Sequence, residues 1–216
     1  MSTTHPLQEK LFIELFKPIS IGDKIYKWPE SKSYRGRQLY YWTLRAYIHP
    51  KYSSMLRKLK YVPQEYINDV RLLSAFTAGL TDADGSITIE KSYSRAKPLF
   101  KIVNKNYKLL KELQEGWKKY GIYIPELHIN KNVGNGYRKY PTWELRTRGR
   151  KVYLLLSRLK PHIRHEEHVM KIRIIEQLGR GIILSQEALL MRKQVKQLIK
   201  HMIRVYVDEA KRLLVG

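Results

Sequence analysis

The chain has 216 residues, 43% of them hydrophobic and 28% charged, enough to bury a core in one large domain or two small ones. Its 42 Lys and Arg against 19 Asp and Glu give a formal net charge of +23, which points to a polyanionic partner, nucleic acid before an anionic membrane. It has no cysteine, which excludes disulfides, thiolate zinc centres and Cys nucleophiles, and no apolar run nears the roughly 20 residues of a spanning helix.

The opening MSTTHPLQEK has no signal-peptide core, so the expectation is a protein that is not secreted and not membrane-bound, cytoplasmic or nucleoid-associated, or organellar in a eukaryote. The segment PLQEKLFIELFK, apolar at Leu7, Leu11, Ile13 and Leu15, predicts a helix. GDKIYKW and RQLYYWTLRAY predict strands with ESKSYRG as the turn between them, and His49 to Leu59 a second helix with Pro50 in its first turn. KYVPQEYINDV then links to an apolar helix ending in DADG.

After it come strands at SITIEK and LFKIVN, a helix at NYKLLKELQEGWKKYG, and strands at IPELHIN and YPTWELRTR. Helices follow at RKVYLLLSRLK and HEEHVMKIRIIEQLG, a break at Gly179 to Gly181, and a long basic terminal helix from Ser185.

The chain repeats itself weakly. Trp42-Thr43-Leu44-Arg45 corresponds to Trp143-Glu144-Leu145-Arg146, and Arg57-Lys58-Leu59-Lys60 to Ser157-Arg158-Leu159-Lys160; the helix of Leu7 to Leu15 matches the one through Leu109, Leu113 and Trp117. Two similar α+β halves follow, the first without its copy of the DADG helix. The expected division is a partial first half over 1–69, a complete half over 70–180 and a basic helix over 181–216.

Acids are disfavoured at a helix C-terminus by up to about 1 kcal/mol each, yet Asp82 and Asp84 sit there. On that helix Ala75, Gly79 and Ala83 recur every fourth residue, a stripe of small side chains on which a second helix can pack closely, with Phe76 and Leu80 flanking it. Packing two such helices brings their terminal carboxylates together. Neighbouring carboxylates repel unless a cation separates them, so the arrangement suits a hard, oxygen-ligated ion. Two positions apart, Asp82 and Asp84 cannot share a helix face. Asp84 is the better ligand and Asp82 a structural neighbour, with Gly85 expected as a left-handed helix terminator.

Thr77 to Gly85, TAGLTDADG, resembles the LAGLIDADG motif of homing endonucleases, matching at seven of nine positions and departing at Thr77 and Thr81. The resemblance covers about residues 7 to 178. It implies αββαββα halves with concave antiparallel sheets, the first half here truncated, and a site-specific enzyme of intron or intein homing that cuts both strands of double-stranded DNA. It implies Mg²⁺ or Mn²⁺ as cofactor, with Asp84 and the adjoining Gly85 at the metal. A lysine near each site is typical of such enzymes. Lys60 matches for one site; Lys160, by the internal repeat, and Arg164, by its loop, both remain candidates for the other.

The strands should carry the DNA-reading surface. Glu144, Arg146 and Arg148 alternate to one face while Trp143 and Leu145 turn inward, and Thr43, Arg45 and Tyr47 likewise oppose Trp42 and Leu44. Lys32, Arg35, Arg37, Lys131, Arg138 and Lys139 are the candidate phosphate or base contacts at the strand tips. His162, His165 and His168, beside Glu166 and Glu167, have a spacing open to a transition metal, but on so basic a chain they read better as solvated or phosphate-contacting.

Two other functions fit the same residues: an RNA maturase assisting intron splicing, and a catalytically silent sequence-specific DNA-binding protein. With one motif in the chain, three arrangements are open. The coding sequence can continue upstream of Met1, two chains can form a homodimer through the Ala75, Gly79, Ala83 stripe, or the gene can be in decay.

Overall fold

A computed structural model describes residues 1–58, 61–93, 95–125, 127–130 and 141–215. The chain divides into two compact units, Met1–Arg57 with Gln194–Gly216, and Lys58–Lys193. Both are mixed α and β with antiparallel sheets.

In the first unit the order is β1 (Ser2–Thr3), α1 (Pro6–Phe16), β2 (Ser20–Tyr34), β3 (Arg37–Ile48) and α2 (Ser53–Lys58), joined by the later part of α8 (Ser185–Val215). The sheet order is β1-β3-β2. The hairpin is longer than the sequence suggests: residues 30–34, expected in the turn, continue β2, and the strands pair as far as Tyr34 opposite Arg37. The turn shrinks to Arg35 and Gly36, both at positive φ, the geometry of a two-residue hairpin turn. Pro29 is accommodated inside β2 because that strand is an edge and needs no donor on its outer side.

Trp42 anchors this unit. Its indole N–H donates to the Tyr206 carbonyl at 3.0 Å, and its ring packs on that of Tyr206. Lys27 lies over the Trp42 ring at 4.0 Å and pairs with Glu9 at 2.9 Å, and the Tyr206 hydroxyl donates to the same carboxylate.

The second unit runs α3 (Gln64–Asn68), α4 (Val70–Asp84), β4 (Gly85–Ser92), β5 (Arg95–Asn104), α5 (Tyr107–Lys119), β6 (His128–Asn130), β7 (Thr142–Arg148), α6 (Arg150–Leu159), α7 (Glu166–Gly179) and the start of α8. From α4 to α6 this is the αββαββα succession expected for the second half. The sheet order is β4-β5-β7-β6, all antiparallel. Ile87, Ile89, Phe100, Ile102 and Leu145 line its inner face and are fully buried, with Leu110, Leu113, Trp117, Val152 and Leu155 from α5 and α6 completing the core.

Asp69 caps α4 by accepting from the amides of Arg71 and Leu72 at 2.7 and 3.3 Å, which fixes where the motif helix begins. No helix among the described residues is long and apolar enough to cross a membrane.

Candidate metal and nucleic-acid site

Helix α4 buries Leu73, Thr77, Ala78, Thr81 and Asp82 and leaves Ala75, Gly79 and Ala83 exposed. The stripe of small residues therefore lies opposite the face that packs into the unit's own core. The two departures from the family motif are accounted for on the buried face. Thr77 and Thr81 each donate to the carbonyl four residues earlier at 2.7 Å, and the Thr77 oxygen also accepts the Trp117 indole N–H at 3.1 Å. Hydroxyls replace apolar side chains there because each has its partners.

The two acids part company. Asp82 is 5% exposed; one carboxylate oxygen accepts the Arg164 amide at 2.7 Å and the other lies 3.2 Å from Nδ1 of His168. It ties the end of α4 to the loop before α7. Asp84 is exposed, and its contact is with the Asn104 side-chain amide, whose nitrogen donates to it at 3.4 Å. The Asn104 oxygen accepts from the amide of Asn106 at 2.9 Å, so its nitrogen is the end that faces Asp84.

Gly85 differs from the sequence expectation. Its φ of −88° and ψ of 172° are extended, not left-handed, and it pairs with Ile102 as the first residue of β4. The glycine is required by close approach: a Cβ there would stand 2.5 Å from the Thr81 Cα and 2.6 Å from its carbonyl oxygen. The strand can leave the helix at once because nothing projects from this residue.

The donor set suits a hard cation. Asp84 offers an exposed carboxylate, Gly85 a neighbouring carbonyl, and no sulfur exists in the chain beyond methionine. No group of three His, Asp or Glu that could hold a metal occurs among the described residues. Mg²⁺ does not need one, since it keeps several waters and takes one or two carboxylates with the oxygens of a bound phosphate. His165 and His168, expected at the surface, are instead buried at 5% and 7% exposure with their rings 4.9 Å apart, and His168 serves Asp82.

Of the candidate cations, Lys60 lies outside the described residues. Lys160 is held by both carboxylate oxygens of Glu176 at 2.8 and 2.9 Å. Arg164 contributes its backbone amide to Asp82, and its side chain is exposed.

The outer face of the second unit's sheet collects Ser86, Thr88 and Glu90 from β4, Lys97 and Lys101 from β5, and Glu144, Arg146 and Arg148 from β7. Glu90 reaches Arg146 at 3.9 Å and Arg148 at 3.2 Å, while Glu144 reaches Lys101 at 3.7 Å and Arg146 at 3.4 Å. The two acids thus hold three cations in place.

In the first unit Arg37 and Arg45 from β3 share a face with Lys32 from β2 and with Tyr26, Trp28, Tyr41 and Tyr47. Arg45 lies over the Trp28 ring at 5.3 Å and within 3.4 Å of the Tyr47 hydroxyl. The Trp28 indole donates to Glu30 at 2.6 Å. That bond, with further ones from Thr43 and Tyr41, holds the Glu30 carboxyl below its usual range; burial and then Glu30 push the Tyr41 phenol up. Arg35 occupies the hairpin turn. Lys131, Arg138 and Lys139 lie outside the described residues.

No family model matches the chain, and no curated protein matches it. Among solved structures it is similar to the crystal structure of the LAGLIDADG homing endonuclease I-GzeII in complex with its DNA target, with a TM-score of 0.43 and 8% sequence identity over 91% of this chain and 85% of that one.

Several residues of these surfaces escaped the sequence reading. Glu90, Lys97 and Lys101 were recoverable from alternation alone, because SITIEK and KPLFKIVN place them opposite Ile87, Ile89, Phe100 and Ile102. Asn104 had no such signal; it matters because the fold returns β5 alongside the end of α4.

Proposed function

We propose that the chain is a divalent-metal-dependent endonuclease that recognises and cuts a specific double-stranded DNA site, of the homing type. The observation that carries this reading is the divergence of Asp82 and Asp84. One acid is spent on holding the fold, and the other is delivered to solvent at the end of the motif helix, where β4 begins a polar, cation-bearing sheet face.

In this reading Asp84 and the Gly85 carbonyl hold Mg²⁺ or Mn²⁺. When bound, the ion supplies Lewis acidity toward a phosphodiester oxygen and lowers the pKa of water beside it. The chain's residues do the rest. Asn104 orients the Asp84 carboxylate, and Lys60, with Lys160 or Arg164, stabilises charge developing on the phosphate. Arg146 and Arg148 donate to guanine edges, and Glu144 and Glu90 fix those guanidinium groups or accept from cytosine. Lys32, Arg35, Arg37 and Arg45, with Lys131, Arg138 and Lys139, meet phosphates and bases along the duplex.

A second copy of the chain packs on Ala75, Gly79 and Ala83, because that stripe ends at Asp84 and its pairing brings two such acids to opposite strands. The test is selection of bound duplexes from a randomised library, followed by incubation of a plasmid bearing the selected site with and without Mg²⁺. Linear product that needs Mg²⁺ and rises steeply with protein concentration supports the reading. Binding without any cutting contradicts the enzyme, and concentration-independent specific activity contradicts the dimer.

The aromatic face of the first unit's sheet favours a second reading, binding of intron RNA. Tyr26 and Tyr47 are 48% and 52% exposed beside Trp28 and Arg45, a surface on which unpaired bases can stack. Under that reading Trp28→Ala and Tyr47→Ala weaken single-stranded RNA binding more than duplex DNA binding; equal losses on both speak against it.

A further inference from the structure

We propose that the second unit contains a phosphate-binding site at the N-terminus of α6, separate from Asp84. Strand β6 pairs with β7 from Thr142 to Glu144, and beyond Glu144 that edge of β7 has no paired strand among the described residues. A cavity of about 420 Å³ lies there, lined by His128, Arg146, Thr147, Arg148, Arg150 and Lys151. It gathers four cations and a histidine, and none of its lining residues among those described is acidic.

The decisive feature is unsatisfied polarity. Thr147 is 1% exposed and its hydroxyl has no hydrogen-bond partner among the described residues; nor has the buried Nε of Arg146, which projects from the other face of β7. Buried donors without acceptors are rare in folded proteins, and both of these belong to residues that line the same cavity.

Helix α6 adds a third argument. Its N-cap is Gly149, which offers no side-chain acceptor, and its first turn has no acid but carries Arg150 and Lys151. Cations at a helix N-terminus oppose the helix dipole, whereas an oxyanion there is favoured by the dipole and by the first-turn amides of Arg150 and Lys151, that of Val152 being taken by the Gly149 carbonyl at 3.0 Å. Glu90 partly neutralises Arg146 and Arg148, but Arg150 has no ion-pair partner among the described residues and Lys151 rests over the Tyr123 ring at 4.7 Å. A tetrahedral phosphate oxyanion accepts from the Thr147 hydroxyl, the first-turn amides and the Arg150 guanidinium together. Its source, a backbone diester or a terminal monoester of nucleic acid, rests on the nucleic-acid reading above; the binding chemistry does not.

The test is calorimetric titration of the full-length protein with inorganic phosphate, against sodium chloride at equal ionic strength. The expected result is saturable phosphate binding, weakened about tenfold or more by Thr147→Val and by Arg150→Ser and unchanged by Lys200→Ser on the exposed side of α8. Arg150 is exposed, so its variant keeps the test decisive if Thr147→Val folds poorly. Duplex DNA with and without a 5′-phosphate separates the sources: equal weakening of both by Arg150→Ser identifies a backbone diester, and weakening of the phosphorylated duplex alone a terminal monoester. No difference between phosphate and chloride, or wild-type phosphate affinity in both variants, overturns the proposal. Asp84-dependent cleavage is read separately, so either reading can fail without the other.

Discussion

Oδ1 of Asp82 lies 3.2 Å from Nδ1 of His168, inside the protein, across 86 residues of sequence. With the Arg164 amide on its other oxygen, both oxygens of this buried carboxylate are engaged by the fold, and solvent hardly reaches it. Of the two acids of the motif, Asp84 is the one open to solvent, which is why the proposed metal site is built on it.

Replacing Asp82 by alanine should therefore act on stability. The change leaves a partly buried amide and a buried imidazole without their acceptor, at a cost of about 2 to 4 kcal/mol. Urea denaturation should show a lower midpoint with an unchanged slope, and activity should fall in proportion to unfolded protein.

Gly85→Ala should fail in a different way. The added methyl would overlap the Thr81 backbone at 2.5 Å, and backbone cannot rotate aside as a side chain does. A destabilisation of about 1 to 3 kcal/mol is expected. Because the strain falls next to Asp84, metal-dependent cleavage should drop by more than the loss of folded protein explains.

Glu90 positions Arg146 and Arg148, at 3.9 and 3.2 Å. Glu90→Gln frees Arg148, leaves Arg146 to Glu144 alone and adds one net positive charge, so binding to random duplex should strengthen at low salt while discrimination between the selected site and its mismatched forms narrows. Competition binding across a salt series checks this; unchanged discrimination would show that the arginines do not read bases.

Tyr206 gives a pH signature for the first unit. Burial, then the hydrogen bond to Glu9, then the Glu9 charge push its phenol well above the ordinary value of about 10. Above about pH 10 the unfolded chain releases this proton while the folded chain keeps it, so stability must fall as pH rises, by at most about 1.4 kcal/mol per pH unit for this group. Tyr206→Phe should be less stable by about 1 kcal/mol at neutral pH, through the lost hydrogen bond, and should show a shallower alkaline decline.

What could be read directly from the sequence was periodic. The alternation of Leu145 and Thr147 with Glu144, Arg146 and Arg148 is a property of one strand, and every strand has it whatever it packs against. The order of the longer helices and strands followed from the same signals, while the short β1 and α3 had none: α3 lies in the segment expected only to link two helices. Relationships set by chain return were invisible. The partner of Thr77 is Trp117, forty residues on, and those of Asp82 lie more than eighty residues on. The role of Gly85 was read from its commonest use, a left-handed terminator, when the requirement came from a carbonyl and a Cα one helical turn back. The histidines misled for a related reason: composition placed them in a basic chain, while the fold buried two of them and set one, His168, against a buried acid.

The most direct measurement compares wild-type protein with Asp84→Asn on a plasmid carrying the selected duplex site, scoring binding and strand scission side by side in Mg²⁺. Asn keeps the size of the side chain and its contact with Asn104 but removes the charge that holds the ion. The expected result is binding within about twofold of wild type and cleavage reduced by about a thousandfold or more, as for loss of a principal transition-state stabiliser. Cleavage by Asp84→Asn at the wild-type rate would contradict the account.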